Sequence, residues 1–141
     1  CKDTDLVLIH DSVRPLLGQD IISSNIAICK AYGYAITGIK CREAILESED
    51  GFSTSVSIPR DKLIRTQTPQ TFCLGNIINI HEEAKQKGIV DSVASCTLIA
   101  EVGGYEMHIV PGSEKNIKIT TVEDLEILKA LMHTSKDEWL K

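Results

Sequence analysis

Three short stretches hold the residue types that chemistry needs. In VLIHDSVRP, Val7 to Pro15, an apolar run gives way to His10, Asp11 and Arg14. A carboxylate immediately beyond a buried strand stands where a parallel sheet presents its ligands. It can hold Mg2+ or a substrate hydroxyl, and the nearby arginine can neutralise a phosphate with a planar fork of donors. The same residues would also serve as a capped turn with a surface ion pair, and His10, next to the strand, reads as structural. The second stretch sets Arg60, Lys62 and Arg65 beside Gln67-Thr68-Pro69-Gln70. Its amides and hydroxyls around a proline suit a rigid, donor-rich loop, and a plain solvated loop accounts for them as well. The third is GSEKNIKITT, Gly112 to Thr121. Lys115 and Lys118 precede a helix start, where backbone N–H groups and a cation can both meet phosphate oxygens. The alternation of Ile117 and Ile119 turns Asn116 and Lys118 the other way, towards a cleft or towards solvent and a surface pair.

Other catalytic patterns are missing. His81-Glu82-Glu83 is not HExxH, and the chain has no GxSxG elbow, GxxxxGK loop or GxGxxG fingerprint. His81, His108 and His133 lack metal-ligand spacing. A magnesium-compatible carboxylate with several phosphate-compatible cations suits phosphoryl or nucleotidyl transfer better than hydrolysis.

These groups need a scaffold, and the chain has the composition for one. Its 141 residues, 43% of them apolar, suffice for a single domain. A formal charge of -5 gives no general reason to bind nucleic acid. The five cysteines, at 1, 29, 41, 73 and 96, form no CxxC pair and read as reduced, partly buried thiols, which fits a cytoplasmic protein. No apolar run is long enough for a membrane span, and the charged start does not look like a signal peptide.

Asp5 to His10 reads as a buried strand. Residues 20–33 read as a helix capped by Asp20, with Ile22, Ile26 and Cys29 on one face and Gly33 as its stop. Tyr34 to Ile39 is again strand-like, so the opening makes a βαβ unit and implies a parallel sheet. Residues 40–58 read as a projecting two-stranded arm with a tight turn at Asp50-Gly51. So little apolar surface makes the arm marginal alone, and a second subunit is its simplest support. Pro59 to Phe72 reads as an ordered loop across the sheet edge. Helices follow at 74–87, with Ile77, Ile80 and Ala84 inward, and at 92–101, then a strand at 105–110. The last helix is capped by Thr120 or Thr121 with Glu123 or Asp124, and its stripe is Leu125, Leu128 and Met132.

IHDSVRP, IPRDKLIRTQTPQTF and GSEKNIKITTVEDLEI together resemble, in order and spacing, the carboxyl-terminal two thirds of the cytidylyltransferases that make CDP-linked sugar alcohols. That family includes the 2-C-methyl-D-erythritol 4-phosphate enzyme and the ribitol 5-phosphate enzyme. The resemblance implies a Rossmann-like α/β nucleotidyltransferase, with a mainly parallel sheet, helices on both faces and a projecting dimerisation arm. It implies transfer of CMP from CTP to an alditol phosphate with release of pyrophosphate, Mg2+ as cofactor and a homodimer as the working form. By resemblance Asp11 and Lys118 are catalytic, and Asp11 also meets the metal. Arg14, Arg60 and Thr68 bind substrate, Arg60 reaching in from the partner subunit, and Ser12 contributes to cofactor binding.

Departures accompany the matches. The family's glycine-rich loop, with an arginine and a lysine for CTP, has no counterpart here. The chain therefore reads as a partial domain lacking its N-terminal portion, expected to be inactive alone. Val90-Asp91 stands where the family usually has Thr-Asp, and Glu43-Ala44 where Asp-Thr is frequent, which weakens the methylerythritol assignment. The tail, ending in KDEWLK, gives ribitol phosphate a modest lead. The competing readings are a noncatalytic dimerisation and phosphate-binding piece, and a sugar-phosphate nucleotidyltransferase that uses another base.

Overall fold

The computed structural model describes residues 1–133. In chain order these form β1 (Leu6–Ile9), α1 (Gln19–Tyr32), β2 (Tyr34–Lys40), β3 (Ile45–Glu47), β4 (Val56–Ile58), a 3-10 turn at Arg60–Lys62, β5 (Ile64–Cys73), α2 (Leu74–Gln86), α3 (Ser95–Val102), β6 (His108–Pro111) and α4 (Val122–His133). KDEWLK lies outside the described residues.

The main sheet has the order β1-β5-β2-β6. β1, β2 and β6 run one way, and β5 runs against both of its neighbours. Three of the four strands point the same way, but two of the three pairings are antiparallel, so the sheet is mixed rather than mainly parallel, and β1 and β2 of the βαβ opening are held apart by β5. Helices cover both faces. Ala35 and Val110 pack with Cys29 of α1 on one side, while Ile36 and Phe72 pack with Ile77, Ile80 and Ala84 of α2 and Ile99 of α3 on the other. Neighbouring residues of β2 thus serve opposite cores, as strand geometry requires.

The expected loop at 59–72 is the largest correction: most of it is β5, a ten-residue central strand. Polarity argued against a strand, but these polar side chains find partners inside the fold. Gln70 accepts the Cys96 N–H at 3.0 Å, and the Thr37 hydroxyl donates to the Pro69 carbonyl at 2.6 Å. Proline is accommodated because the ladder breaks there: Ile36 pairs with Gln70 and Gly38 with Thr66, so Pro69 owes the sheet no N–H. The Thr68–Pro69 peptide is cis.

Smaller corrections share a cause, since partners decide what is buried. β1 pairs with β5 alone among the described residues, so Leu8 and Ile9 are 37% and 40% exposed rather than buried. The inward stripe of α1 is Ile21, Asn25 and Cys29, with Ile22 and Ile26 at its margin. Asn25 is fully buried because its amide donates to Ile21 O and to Thr37 Oγ1, 3.0 and 2.8 Å away. Gly18, not Asp20, occupies the α1 cap, and Gly33 ends the helix in the left-handed conformation, φ 87°. α3 begins at Ser95, after Thr97 accepts the Ala94 N–H. In α4 only Leu128 is buried; Leu125 and Met132 are exposed.

β3 and β4 pair antiparallel as a separate ribbon. Its connection, residues 48–55, is longer than a tight turn and is organised by Asp50. That carboxylate accepts the Ser53 and Phe52 N–H groups and the Ser48 and Ser53 hydroxyls. Hydrogen bonds from Ser53, then Phe52 and Ser48, hold Asp50 far below the usual carboxylate range. Phe52, at the tip, is 97% exposed.

Candidate functional site

β1 delivers the chain to a turn in which Arg14 N–H donates to the Asp11 carbonyl, 3.0 Å. The Asp11 carboxylate then gathers cations from near and far. Arg14 Nε lies 3.1 Å from Asp11 Oδ2, and Lys118 Nζ lies 3.5 Å from the same oxygen. Both cations approach one oxygen, so Oδ1 has no protein donor among the described residues. Two positive groups around one half-exposed carboxylate make a site that an anion can enter with charge to meet it.

The 112–121 segment reaches this place through its backbone. Ile119 N–H donates to Val13 O at 2.9 Å, and Arg14 Nη1 donates to Asn116 O at 2.7 Å. Asn116 is fully buried; its amide donates to Thr68 O at 2.8 Å, and Gln67 Nε2 donates to Ser113 O at 2.8 Å. The expected shared outlook of Asn116 and Lys118 is therefore wrong. The segment is not a strand, so Asn116 turns under the site while Lys118 stays half-exposed above it.

The N-terminus of α4 is capped from within the chain. Asp124 accepts the Thr120 and Thr121 N–H groups and the Thr120 hydroxyl, and its own N–H donates to Thr121 Oγ1. These bonds, Thr120 first, lower the Asp124 pKa. The capping box was expected, and both of its hydrogen bonds are formed.

Thr68 completes the cluster. Its Oγ1 accepts the Asp11 N–H at 2.9 Å and lies 2.9 Å from His10 Nδ1, while His10 Nε2 lies 3.0 Å from Arg14 O. The structure thus brings Asp11, Arg14, Thr68 and Lys118 together from residues that span the chain. Ser12 is exposed on the turn beside Asp11.

Arg60 stands apart. Its guanidinium donates to the Arg42 carbonyl, and it lines a cavity of about 900 Å3 with Gly38, Cys41, Ile64, Ile109 and Gly112. Glu114 lines both this cavity and a smaller cleft of about 220 Å3 next to Arg14 and Gln67, and it pairs with Arg65 at 2.6 Å. His10, Gln67 and Asn116 were not singled out as site residues. Their signal was polarity at positions next to or within apolar, strand-like sequence, which marks a buried network but not its purpose.

Among the described residues no group of three or more His, Cys, Asp or Glu could hold a metal. A lone carboxylate with one open oxygen fits Mg2+ that arrives on a polyphosphate, since that ion keeps waters and takes one or two protein carboxylates. It does not fit a resident metal centre.

Residues 1–134 match the sequence profile of the family described as 2-C-methyl-D-erythritol 4-phosphate cytidylyltransferase. A ribitol-5-phosphate cytidylyltransferase of Streptococcus agalactiae serotype Ia is 37% identical over 136 residues, 96% of this chain and 56% of that protein. A 2-C-methyl-D-erythritol 4-phosphate cytidylyltransferase of Clostridium novyi is 38% identical, again over 96% of this chain, and 58% of its own length is covered. The solved 2-C-methyl-D-erythritol 4-phosphate cytidylyltransferase of Francisella tularensis superposes with a TM-score of 0.83 at 26% identity, covering 92% of this chain and 60% of that one. The Thermus thermophilus enzyme of the same name gives 0.79 at 27% identity, covering 89% and 61%. The chain spans little more than half the length of the curated relatives it matches. Profile, identity and fold agree, and the chain belongs to the 2-C-methyl-D-erythritol 4-phosphate cytidylyltransferase family.

Proposed function

We propose that the protein carrying this chain transfers CMP from CTP to an alditol phosphate, with ribitol 5-phosphate the first candidate, releasing CDP-alditol and pyrophosphate. The observation that carries the reading is the placement of Lys118 and Arg14 on one carboxylate oxygen at the end of β1, in a chain of this family.

In the proposed reaction a phosphate oxygen of the alditol phosphate attacks the α-phosphorus of CTP. A P–O bond forms, the bond to the α,β-bridging oxygen breaks, and pyrophosphate leaves with that electron pair. The nucleophile is already an anion, so the protein's tasks are alignment and neutralisation. Lys118 stabilises charge on the attacked phosphate. Arg14 holds Asp11 in place, and Asp11 Oδ1 would be the ligand for Mg2+ brought by the triphosphate. That ion, when bound, supplies further charge neutralisation. Arg60, at the root of the β3-β4 arm, receives the alditol phosphate of a second copy's site in a homodimer. The exposed apolar residues Leu46, Phe52 and Val56 of the arm support that arrangement, because a ribbon so exposed gains from a neighbour. Val90, where the resemblance leads one to expect threonine, is exposed and offers no hydroxyl to an alditol, which weighs against methylerythritol phosphate. The protein acts in the cytoplasm, where CTP is found and thiols stay reduced.

The test is the whole encoded protein with CTP, Mg2+ and a panel of alditol phosphates, read by pyrophosphate release and by mass of the CDP-alditol. Product with ribitol 5-phosphate is expected, at a higher kcat/KM than with methylerythritol phosphate. No product from any alditol phosphate refutes the proposal.

A further inference from the structure

With a neutral imidazole, the hydrogen bonds around His10 run in only one direction. A carbonyl oxygen cannot donate, so His10 Nε2, 3.0 Å from Arg14 O, must carry the proton. In the neutral ring Nδ1 is then an acceptor, and the hydroxyl 2.9 Å away, Thr68 Oγ1, donates to it. Thr68 Oγ1 in turn accepts the Asp11 N–H, 2.9 Å away. A hydroxyl has one proton, and beside a neutral imidazole this one is committed to His10. Thr68 is also 9% exposed. A phosphate offers acceptors only, so Thr68 cannot donate to one without giving up the imidazole.

The turn is therefore held at both ends by one ring. Thr68 fixes the entry through Asp11 N–H, His10 fixes the exit through Arg14 O, and the ring joins the two. Arg14 then reaches Asp11 Oδ2 with Nε and Asn116 O with Nη1, 3.1 and 2.7 Å away, so its guanidinium is placed by the same turn. We infer that His10 and Thr68 are positioning residues: the imidazole, bridging the Thr68 hydroxyl and the Arg14 carbonyl, fixes the turn that sets Asp11 opposite Lys118. Thr68 acts through Asp11 and not on the alditol phosphate. The kinetic consequences rest on the proposed nucleotidyl transfer; the hydrogen-bond pattern does not.

Two kinds of measurement keep those apart. In the whole encoded protein, 15N NMR should show His10 protonated at Nε2 and bare at Nδ1. The Asp11 amide should be protected from hydrogen exchange in the native protein and in Thr68→Ser, and exchange at least about tenfold faster in Thr68→Val. In the whole encoded protein, Thr68→Val should lower kcat at least about tenfold with the alditol phosphate KM within about twofold, and Thr68→Ser should restore it. His10→Asn keeps an acceptor for Thr68, and His10→Gln keeps a donor for Arg14. Each should retain part of the rate, and His10→Phe should lose as much as Thr68→Val, with the double variant no worse than either. The inference is overturned if the proton sits on Nδ1, if Thr68→Val leaves Asp11 exchange unchanged, or if Thr68→Val raises the alditol phosphate KM at constant kcat. A wild-type protein without transferase activity would refute the proposed function and leave the NMR results to decide the inference.

Discussion

Replacing Lys118 by methionine separates catalysis from folding, because the structure assigns the ammonium little of the second. Its Nζ lies 3.5 Å from Asp11 Oδ2, with the side chains 48% and 31% exposed. At that distance the bare attraction is about 1 kcal/mol in water and about 5 at an effective dielectric of 20. Exposure and side-chain entropy bring the net value of such a pair below about 1 kcal/mol. Arg14, 3.1 Å from the same oxygen with only 11% of its side chain exposed, still neutralises Asp11 when Lys118 is gone. The variant should therefore melt within about 4 °C of the parent. A cation lost from the attacked phosphate costs about 3 kcal/mol of transition-state stabilisation, on the order of a hundredfold in rate. The assay is pyrophosphate release at saturating CTP and ribitol 5-phosphate, beside a thermal melt. A fall of less than about threefold with an unchanged melt would refute the role given to Lys118, and a fall matched by unfolding would refute the claim that it is not structural.

Other perturbations test the scaffold. Asn25→Ala should destabilise the domain by about 1–3 kcal/mol in urea titration, because Thr37 and Thr71 lose a fully buried partner. Asp50 and Asp124 both have pKa values lowered by hydrogen bonds to the carboxylate, from Ser53 and Thr120 first. A lowered folded value adds stability that is fully present above the unfolded value near 4 and is lost as pH falls below it through the folded value. Urea midpoints should therefore drop below about pH 4, and Asp50→Asn and Asp124→Asn should each flatten that drop. Burial pushes the Cys29 thiol up to about 12, so in the native protein a thiolate-selective reagent should modify exposed Cys1 first and spare Cys29 until unfolding.

Local patterns in the sequence were legible where one element decides the outcome. The α2 stripe of Ile77, Ile80 and Ala84, the Gly33 stop and the Thr121–Asp124 box all follow from helix period and capping, and all are present. The convergence of Asp11 with Lys118 was also legible, through resemblance rather than spacing, since periodicity says nothing about residues so far apart. What escaped depended on partners elsewhere in the chain. Polar RTQTPQT looks like a loop until Asn116, Cys96 and Thr37 are known to wait for it. LVLI looks fully buried until its neighbours in the sheet are counted.

The polar strand β5 also explains why the site lies where it does. A central strand made of Val and Ile would satisfy the core as well, but it could not reach sideways to the two loops that carry Asp11 and Lys118. Gln67 and Thr68 do that with side chains that are at once buried and hydrogen-bonded, Gln67 to Ser113 and Thr68 to Asp11. Buried polar groups are costly when a partner is removed and nearly neutral when all are satisfied. The loops are thereby tied to the sheet by hydrogen bonds shielded from water. On that argument Gln67→Leu, similar in size but unable to meet Ser113, should leave β5 folded while it loosens residues 112–118. Hydrogen exchange should rise in that segment and not in β2, and transferase rate should fall with it. Equal exchange in both places would mean that β5 holds the sheet alone and that the loops are positioned by something else.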